Sequence, residues 1–105
     1  MDQDLHFSSE PEREGFEALL SKYVDELPTR VSELVEAQRT ADVDRTIGLL
    51  HQLAGSLGLY GYRRLEGLCR AQLARLRQGD GLDATRAGLD HLSEELSRVR
   101  ARPAL

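Results

Sequence analysis

The chain has too little cysteine for a disulfide framework: Cys69 is the only one in 105 residues, which fits a reducing compartment. Its apolar neighbours on a helical pattern make it a small buried hydrophobe rather than a reactive thiol. No apolar run approaches the roughly 18 residues needed to span a bilayer, and the N-terminus lacks the basic region and apolar stretch of a secretory signal. A cytoplasmic protein with no membrane partner is expected. Positive charge is also in deficit, with a formal net charge of −4 and a pI near 5.3, so nucleic acid is a poor partner for the chain as a whole. Metal ligands are sparse: His6, His51 and His91 are the only histidines, and no second ligand sits at helical spacing from position 51. Paired carboxylates, a glycine-rich phosphate loop and triad spacing are lacking too, which argues against an enzyme with its own active site.

What is present is helical. The apolar share is 40% and the charged share 30%, the balance of an ordinary soluble protein of one domain. Residues 1–8 are polar apart from Leu5, His6 and Phe7 and read as a flexible N-terminal arm, with a bundle domain over 9–101. Ser9, Pro11 and Glu12 together predict a helix start, Ser9 as cap and Glu12 closing a capping box. Apolar positions then keep helical spacing from Phe16 through Leu19, Leu20, Tyr23, Val24, Leu27, Val31 and Leu34 to Val35, across Pro28. Proline removes a backbone donor and crowds the preceding turn, so two stacked segments are expected, about 10–26 and 28–39.

Thr40 and Asp42 offer caps for a second stretch with the stripe Val43, Thr46, Ile47, Leu50, Leu53, Ala54 and Leu57. Gly58-Leu-Tyr-Gly61 predicts a turn, Tyr62, Leu65, Leu68, Cys69, Leu73 and Leu76 a third helix to about Gln78, and Gly79-Asp-Gly81 a break. A last helix carries Leu82, Leu89, Leu92, Leu96 and Val99, with Asp83 as its cap. No segment alternates as a strand. The fold class is therefore all-α: an antiparallel up-and-down four-helix bundle with a proline-kinked N-terminal helical extension. One apolar stripe per helix predicts a monomer, and the start at Met1 with loose ends reads as a free-standing protein.

Charge is unevenly spread along this pattern. Residues 1–27 hold eight acidic side chains against Arg13 and Lys22, whereas residues 59–78 hold Arg63, Arg64, Arg70, Arg75 and Arg77 against Glu66 alone. A locally basic segment near position 51 suits a phosphate or an acidic partner surface; a solvated arginine-rich face accounts for it equally well.

His51 is the informative residue. At 100° per residue, Gly48, Gly55 and Gly58 fall within about 60° of it, leaving a nearly bare strip beside the imidazole. Each interior glycine weakens a helix by roughly 1 kcal/mol relative to alanine, so three imply a requirement for clearance. The histidine lies about 100° from the centre of the apolar stripe, at its rim. A neutral imidazole nitrogen is a nucleophile, base or ligand, yet the helical neighbours Ile47, Gly48, Ala54 and Gly55 supply no catalytic partner. Ser56 points away and reads as a packing residue or a back-bonded hydroxyl.

The stretch His51-Gln-Leu-Ala-Gly-Ser-Leu-Gly-Leu-Tyr-Gly61, followed by Leu65, Leu68 and Cys69, resembles the histidine phosphotransfer (HPt) domain, whose motif reads approximately HxLKGSSxxxG with a later LxxLC. The resemblance runs from Phe16 through the proline-interrupted helix to the hairpin at Gly61. It implies a helical bundle without kinase activity, in which His51 takes a phosphoryl group from a receiver-domain aspartate and passes it to another. Response-regulator receivers and a hybrid sensor histidine kinase would be the partners. Ile47, Gly48, Gln52, Ala54, Gly55 and Gly58 would form the docking and access surface. The chain itself would bind no cofactor, Mg²⁺ coming with the receiver.

Two departures stand out. The family usually carries lysine where this chain has Ala54, so Arg63 or Arg64 is expected to compensate the phosphoryl charge in part. Leu73 occupies a position that is often polar and orients the imidazole; Gln72, one residue away, would serve only if its helix rotated. Ala54 keeps a second reading open, a pseudo-HPt module that docks on a kinase or regulator without phosphotransfer.

Overall fold

The computed structural model describes residues 4–104, so that residues 1–3 of the expected arm lie outside the described residues. Four helices follow one another: α1 Phe16–Arg39, α2 Val43–Leu59, α3 Arg63–Arg77 and α4 Leu82–Leu96, flanked by two-residue strands β1 His6–Phe7 and β2 Val99–Arg100. The core is leucine-rich and takes one stripe from each helix. Leu20, Leu27 and Leu34 come from α1, Leu50, Leu53 and Leu57 from α2, Leu65, Cys69 and Leu73 from α3, and Leu89 and Leu92 from α4. Burial pushes the Cys69 thiol up to about 12, so it packs as a hydrophobe.

Several boundaries differ from the sequence expectation. The segments 10–26 and 28–39 are one helix, which begins only at Phe16 and runs through Pro28 to Arg39. Pro28 faces solvent, where water can take the bond that its missing N–H leaves open. Ser9 caps nothing: its hydroxyl donates to the Gly61 carbonyl at 3.0 Å, and Glu12 precedes the helix. Leu19 and Val35, counted in the apolar stripe, are exposed. Asp42 does cap α2, its carboxylate accepting from the Arg45 N–H at 3.0 Å, while Thr40 closes α1. Asp83 lies inside the first turn of α4, whose N-cap is Gly81 without a side-chain bond. Val99 has left that helix and is buried in β2.

The two strands pair in parallel, His6 opposite Val99 and Phe7 opposite Arg100. Runs of two residues are too short for a strand's alternating pattern to show in sequence. This pairing fastens both chain ends beside the α2–α3 turn. The Arg102 guanidinium donates to the Glu17 carboxylate at 2.6 and 2.8 Å and to the Glu10 carbonyl, and the Tyr62 hydroxyl donates to the Arg100 carbonyl at 2.7 Å.

Glu95 is the charged centre of this end of the bundle. Only 5% exposed, it accepts from Arg64 at 2.8 Å, contacts His6 at 3.1 Å and also pairs with Arg98. The Arg64 guanidinium, then His6 and Arg98, hold its carboxyl below the usual carboxylate range against the opposing effect of burial. A carboxyl whose folded value lies below its unfolded one stabilises the fold above the unfolded value, near 4.5. That stabilisation is lost as pH falls through the folded value. Glu95→Gln is accordingly expected to cost about 1–3 kcal/mol at pH 7 and to flatten the acid limb of a stability profile. Urea melts between about pH 3 and 7 check this; a variant whose acid limb matches the parent's would refute the assignment.

Candidate functional site

The His51 site is built by α2, with α1 on one flank and α3 on the other. Early α1 meets late α2, since the Tyr23 hydroxyl bonds Ser56 Oγ at 2.7 Å and Tyr23 stacks on Tyr60 at 4.4 Å. Late α1 meets early α2 through Glu33 and Arg45 at 3.9 Å. Burial, opposed by the Ser56 bond, raises the Tyr23 hydroxyl to about 12, so this contact is between neutral groups. Ser56 also donates to the Leu53 carbonyl at 3.2 Å, which is the back-bonded geometry. On the other flank, α2 and α3 make the most extensive helix contact in the fold.

His51 is exposed midway along α2, and among the described residues its side chain makes no hydrogen bond or ion pair. Gly48 and Gly55 are exposed beside it, and a Cβ added at either would meet nothing within 4 Å. Gln52 is exposed on the same face. This is the open strip on which a second protein can approach the imidazole.

Other expected members of the surface lie elsewhere. Ala54 is buried, 0% exposed, because its direction on the helix falls toward α3. Ile47 is half-buried against the core. Gly58 does not extend the bare strip: the Glu66 carboxyl of α3 lies over it, within 2.9 Å of where a Cβ would stand. Arg63 and Arg64 sit in the first turn of α3, and Arg64 is engaged with Glu95. His51 lies eight residues back along α2 from Leu59, about 12 Å at 1.5 Å per residue, so these two arginines stand at the wrong end of the hairpin.

Two exposed leucines were not singled out from the sequence as surface residues. Leu59, 67% exposed, projects from the His51 face of α2 near its end, and Leu19, 56% exposed, stands on the facing part of α1. Leu59 was absorbed into the turn and Leu19 into the core stripe. Leu19 borders an open groove of about 590 Å³ between α1 and α2 whose rim carries Lys22, Glu26, Arg30 and Gln52. No helix of the described residues is long and apolar enough to cross a membrane.

A family model described as the Hpt domain matches residues 18–102, which takes in all of α2, α3 and α4 and most of α1. The chain belongs to the Hpt domain family. A search of curated proteins and one of solved structures each found no match. Hpt domains take part in phosphorelay histidine phosphotransfer as carriers, with kinases and receiver domains as the interacting classes. The matched span includes His51, Gly55 and Gly61 and leaves out β1, the strap formed by His6 and Phe7.

Both departures of this Hpt domain from the family pattern are buried. Ala54 and Leu73 pack into the core, which leaves the imidazole without a polar neighbour from either position. Gln72 does not take over: its amide lies across Gly88 of α4, on the far side of α3, and its Oε1 is buried without a hydrogen-bond partner among the described residues.

Proposed function

We propose that this Hpt domain is a phosphorelay intermediary, accepting a phosphoryl group on His51 from the aspartate of a response-regulator receiver and passing it to another receiver. The exposed, unpartnered His51 beside the open backbone of Gly48 and Gly55 carries the reading. The end-to-end contacts of α1 with α2 support an antiparallel up-and-down bundle in which that face is free.

In the accepting step the lone pair of the unprotonated ring nitrogen forms an N–P bond as the aspartyl O–P bond breaks. The electron pair of the broken bond leaves with the aspartate carboxylate, and the proton on the other ring nitrogen passes to water. The reverse sequence on a second aspartate delivers the group. The Hpt chain contributes a positioned nucleophile and access, and Mg²⁺ with the remaining charge belongs to the receiver. A hybrid sensor kinase is the upstream source, the cytoplasm the compartment, and the carrier acts as a monomer.

Incubation with a phosphorylated receiver and Mg²⁺ is expected to place acid-labile, alkali-stable label on the chain, and an unphosphorylated second receiver is expected to remove it. A chain that binds receivers yet takes no label from them would instead be a docking module without transfer, the reading that the uncharged Ala54 favours. Gly55→Leu separates access from folding. Its Cβ meets open space, so the helix gains up to about 1 kcal/mol, while transfer from a receiver falls about 100-fold through misplacement of the reacting groups. An unchanged transfer rate in a folded Gly55→Leu protein would count against the docking face.

A further inference from the structure

β1 is paired on one side only. Successive residues of a strand turn their N–H and C=O groups to opposite edges. The His6 N–H donates to the Arg98 carbonyl at 3.0 Å and the Ser8 N–H to the Ala101 carbonyl at 3.4 Å, so these positions bond toward β2 and its extension. Leu5, Phe7 and Ser9 face the other way. Of these, Ser9 donates its N–H to the Gly61 carbonyl at 2.9 Å, which lays that second edge along the α2–α3 turn. Beyond Gly61 the edge continues past Phe7 to Leu5, where no backbone bond forms on it among the described residues.

The unpaired edge borders a groove. About 360 Å³ of open space lies between the strap and the first turn of α3, with Leu5, Phe7 and Leu65 among its walls. Leu5 is 42% and Phe7 36% exposed, so uncovered apolar surface lies beside unpaired backbone groups. An extended chain satisfies both at once, its main chain pairing with the strand edge while alternate side chains enter the space. A helix would leave the edge unpaired.

Charge at the rim sets the chemistry of that chain. Arg63 is exposed and has no ion pair or side-chain hydrogen bond among the described residues. Arg64 reaches Glu95 through one nitrogen, yet 61% of its side chain stays exposed. Arg100 stands opposite Phe7 in the strand pair, hence on the same face, and its guanidinium meets only the carbonyls of Ser97 and Val99. Glu95 is already shared with His6 and Arg98, and Asp4 does not line the groove. In a chain of net charge −4 this end is a local exception, complementary to carboxylates.

We propose that the groove between β1 and α3 holds an extended acidic segment of another protein, added as a third strand on the free edge of β1. Its apolar side chains lie between Leu5, Phe7 and Leu65, and its carboxylates face Arg63 and Arg64, with Arg100 adding to the field. The groove opens at the α2–α3 end of the bundle, about 12 Å along α2 from the level of His51, so the segment tethers a partner without covering the imidazole. This docking does not depend on His51 carrying a phosphoryl group.

The probe is a capped nine-residue peptide with glutamate at odd positions and valine or leucine at even ones, titrated into the ¹⁵N-labelled full chain. Saturable binding is expected with a Kd below about 1 mM, with amide shifts at Leu5, Phe7 and Arg63 and none at His51 or Gly55. At saturation the Phe7 N–H should exchange with solvent at least about 10-fold more slowly than in the free chain, because it has gained a bond. N-methylation of alternate peptide amides abolishes binding in one frame and is tolerated in the other. Arg63→Glu weakens binding at least about 10-fold, whereas Arg86→Glu, the same charge change on α4, stays within about twofold; His51→Ala binds as the parent does. A Kd above about 1 mM, shifts centred on Gly48 and Gly55, equal losses in the two arginine variants, equal binding of a lysine-for-glutamate peptide, unaltered Phe7 exchange or N-methyl frames that behave alike would each overturn the proposal. Protection of the Phe7 N–H that rises with chain concentration in the absence of peptide gives the edge to a second copy, and overturns it too.

Discussion

His51→Ala abolishes all transferable label while leaving the fold intact. The two halves of this result have separate physical causes. The label disappears because no other side chain on the open face of α2 can form a phosphoramidate bond: Gly48, Gln52, Gly55 and Leu59 are its exposed neighbours. The fold survives because His51 is exposed and makes no hydrogen bond or ion pair among the described residues. Alanine is a better helix former than histidine by up to about 0.7 kcal/mol, so the melting temperature stays level or rises by no more than about 5 °C.

The other histidines provide the contrast. His6→Ala removes a contact to the buried Glu95 and lowers stability without touching the label. His91→Ala, on an exposed position of α4, changes neither. Label counting after receiver-driven transfer, read beside circular-dichroism melts of the same preparations, checks all three. Acid-labile label that persists in a folded His51→Ala chain would remove the nucleophile from its assigned place.

The parts of this molecule that were legible in sequence are those set by a single helix. Apolar spacing gives the core of α2 and α3 almost residue for residue, because each buries one stripe and its period is local. The azimuth of His51 and the openness of Gly48 and Gly55 follow from the same 100° step. What was not legible depends on two elements at once. Gly58 is 20° from His51 on the wheel and looks equally bare, yet a side chain from α3 covers it. Arg63 and Arg64 looked close because the turn is close in sequence, but a helix that doubles back carries His51 about 12 Å from that turn. The start of α1 was misplaced for a related reason: Ser9, read as a cap, spends its hydroxyl on Gly61, fifty-two residues away. The paired strands belong to the same class, since neither end carries a pattern by itself.

Gly61→Ala is expected to be the most damaging single methyl in the chain, at about 2–5 kcal/mol. Gly61 follows α2 as the residue that turns the chain back, with φ of 84°. The Tyr62 N–H donates to the Leu57 carbonyl at 2.8 Å and the Gly61 N–H to the Gly58 carbonyl at 3.3 Å, so the last carbonyls of α2 are satisfied only in this conformation. Alanine there is strained by about 1–3 kcal/mol. Its methyl would also stand 2.8 Å from the Glu10 backbone nitrogen and 2.9 Å from Ser8 Oγ, where the N-terminal segment crosses the turn. That segment cannot simply retreat, because the Ser9 N–H donates to the Gly61 carbonyl at 2.9 Å and the Ser8 hydroxyl to the Tyr60 carbonyl at 2.6 Å. Two other glycines separate the causes. Gly79 has φ of 99° with nothing within 4 Å of an added Cβ, so Gly79→Ala carries strain without collision and costs about 1 kcal/mol. Gly55 carries neither, and Gly55→Ala stabilises by up to about 1 kcal/mol. Thermal unfolding should therefore rank Gly55→Ala above the parent, Gly79→Ala below it and Gly61→Ala lowest, by at least about 10 °C. A Gly61→Ala chain that melts with Gly79→Ala would mean that the strap yields to the methyl, and that the crossing of Ser8 and Glu10 over the turn contributes little to holding it.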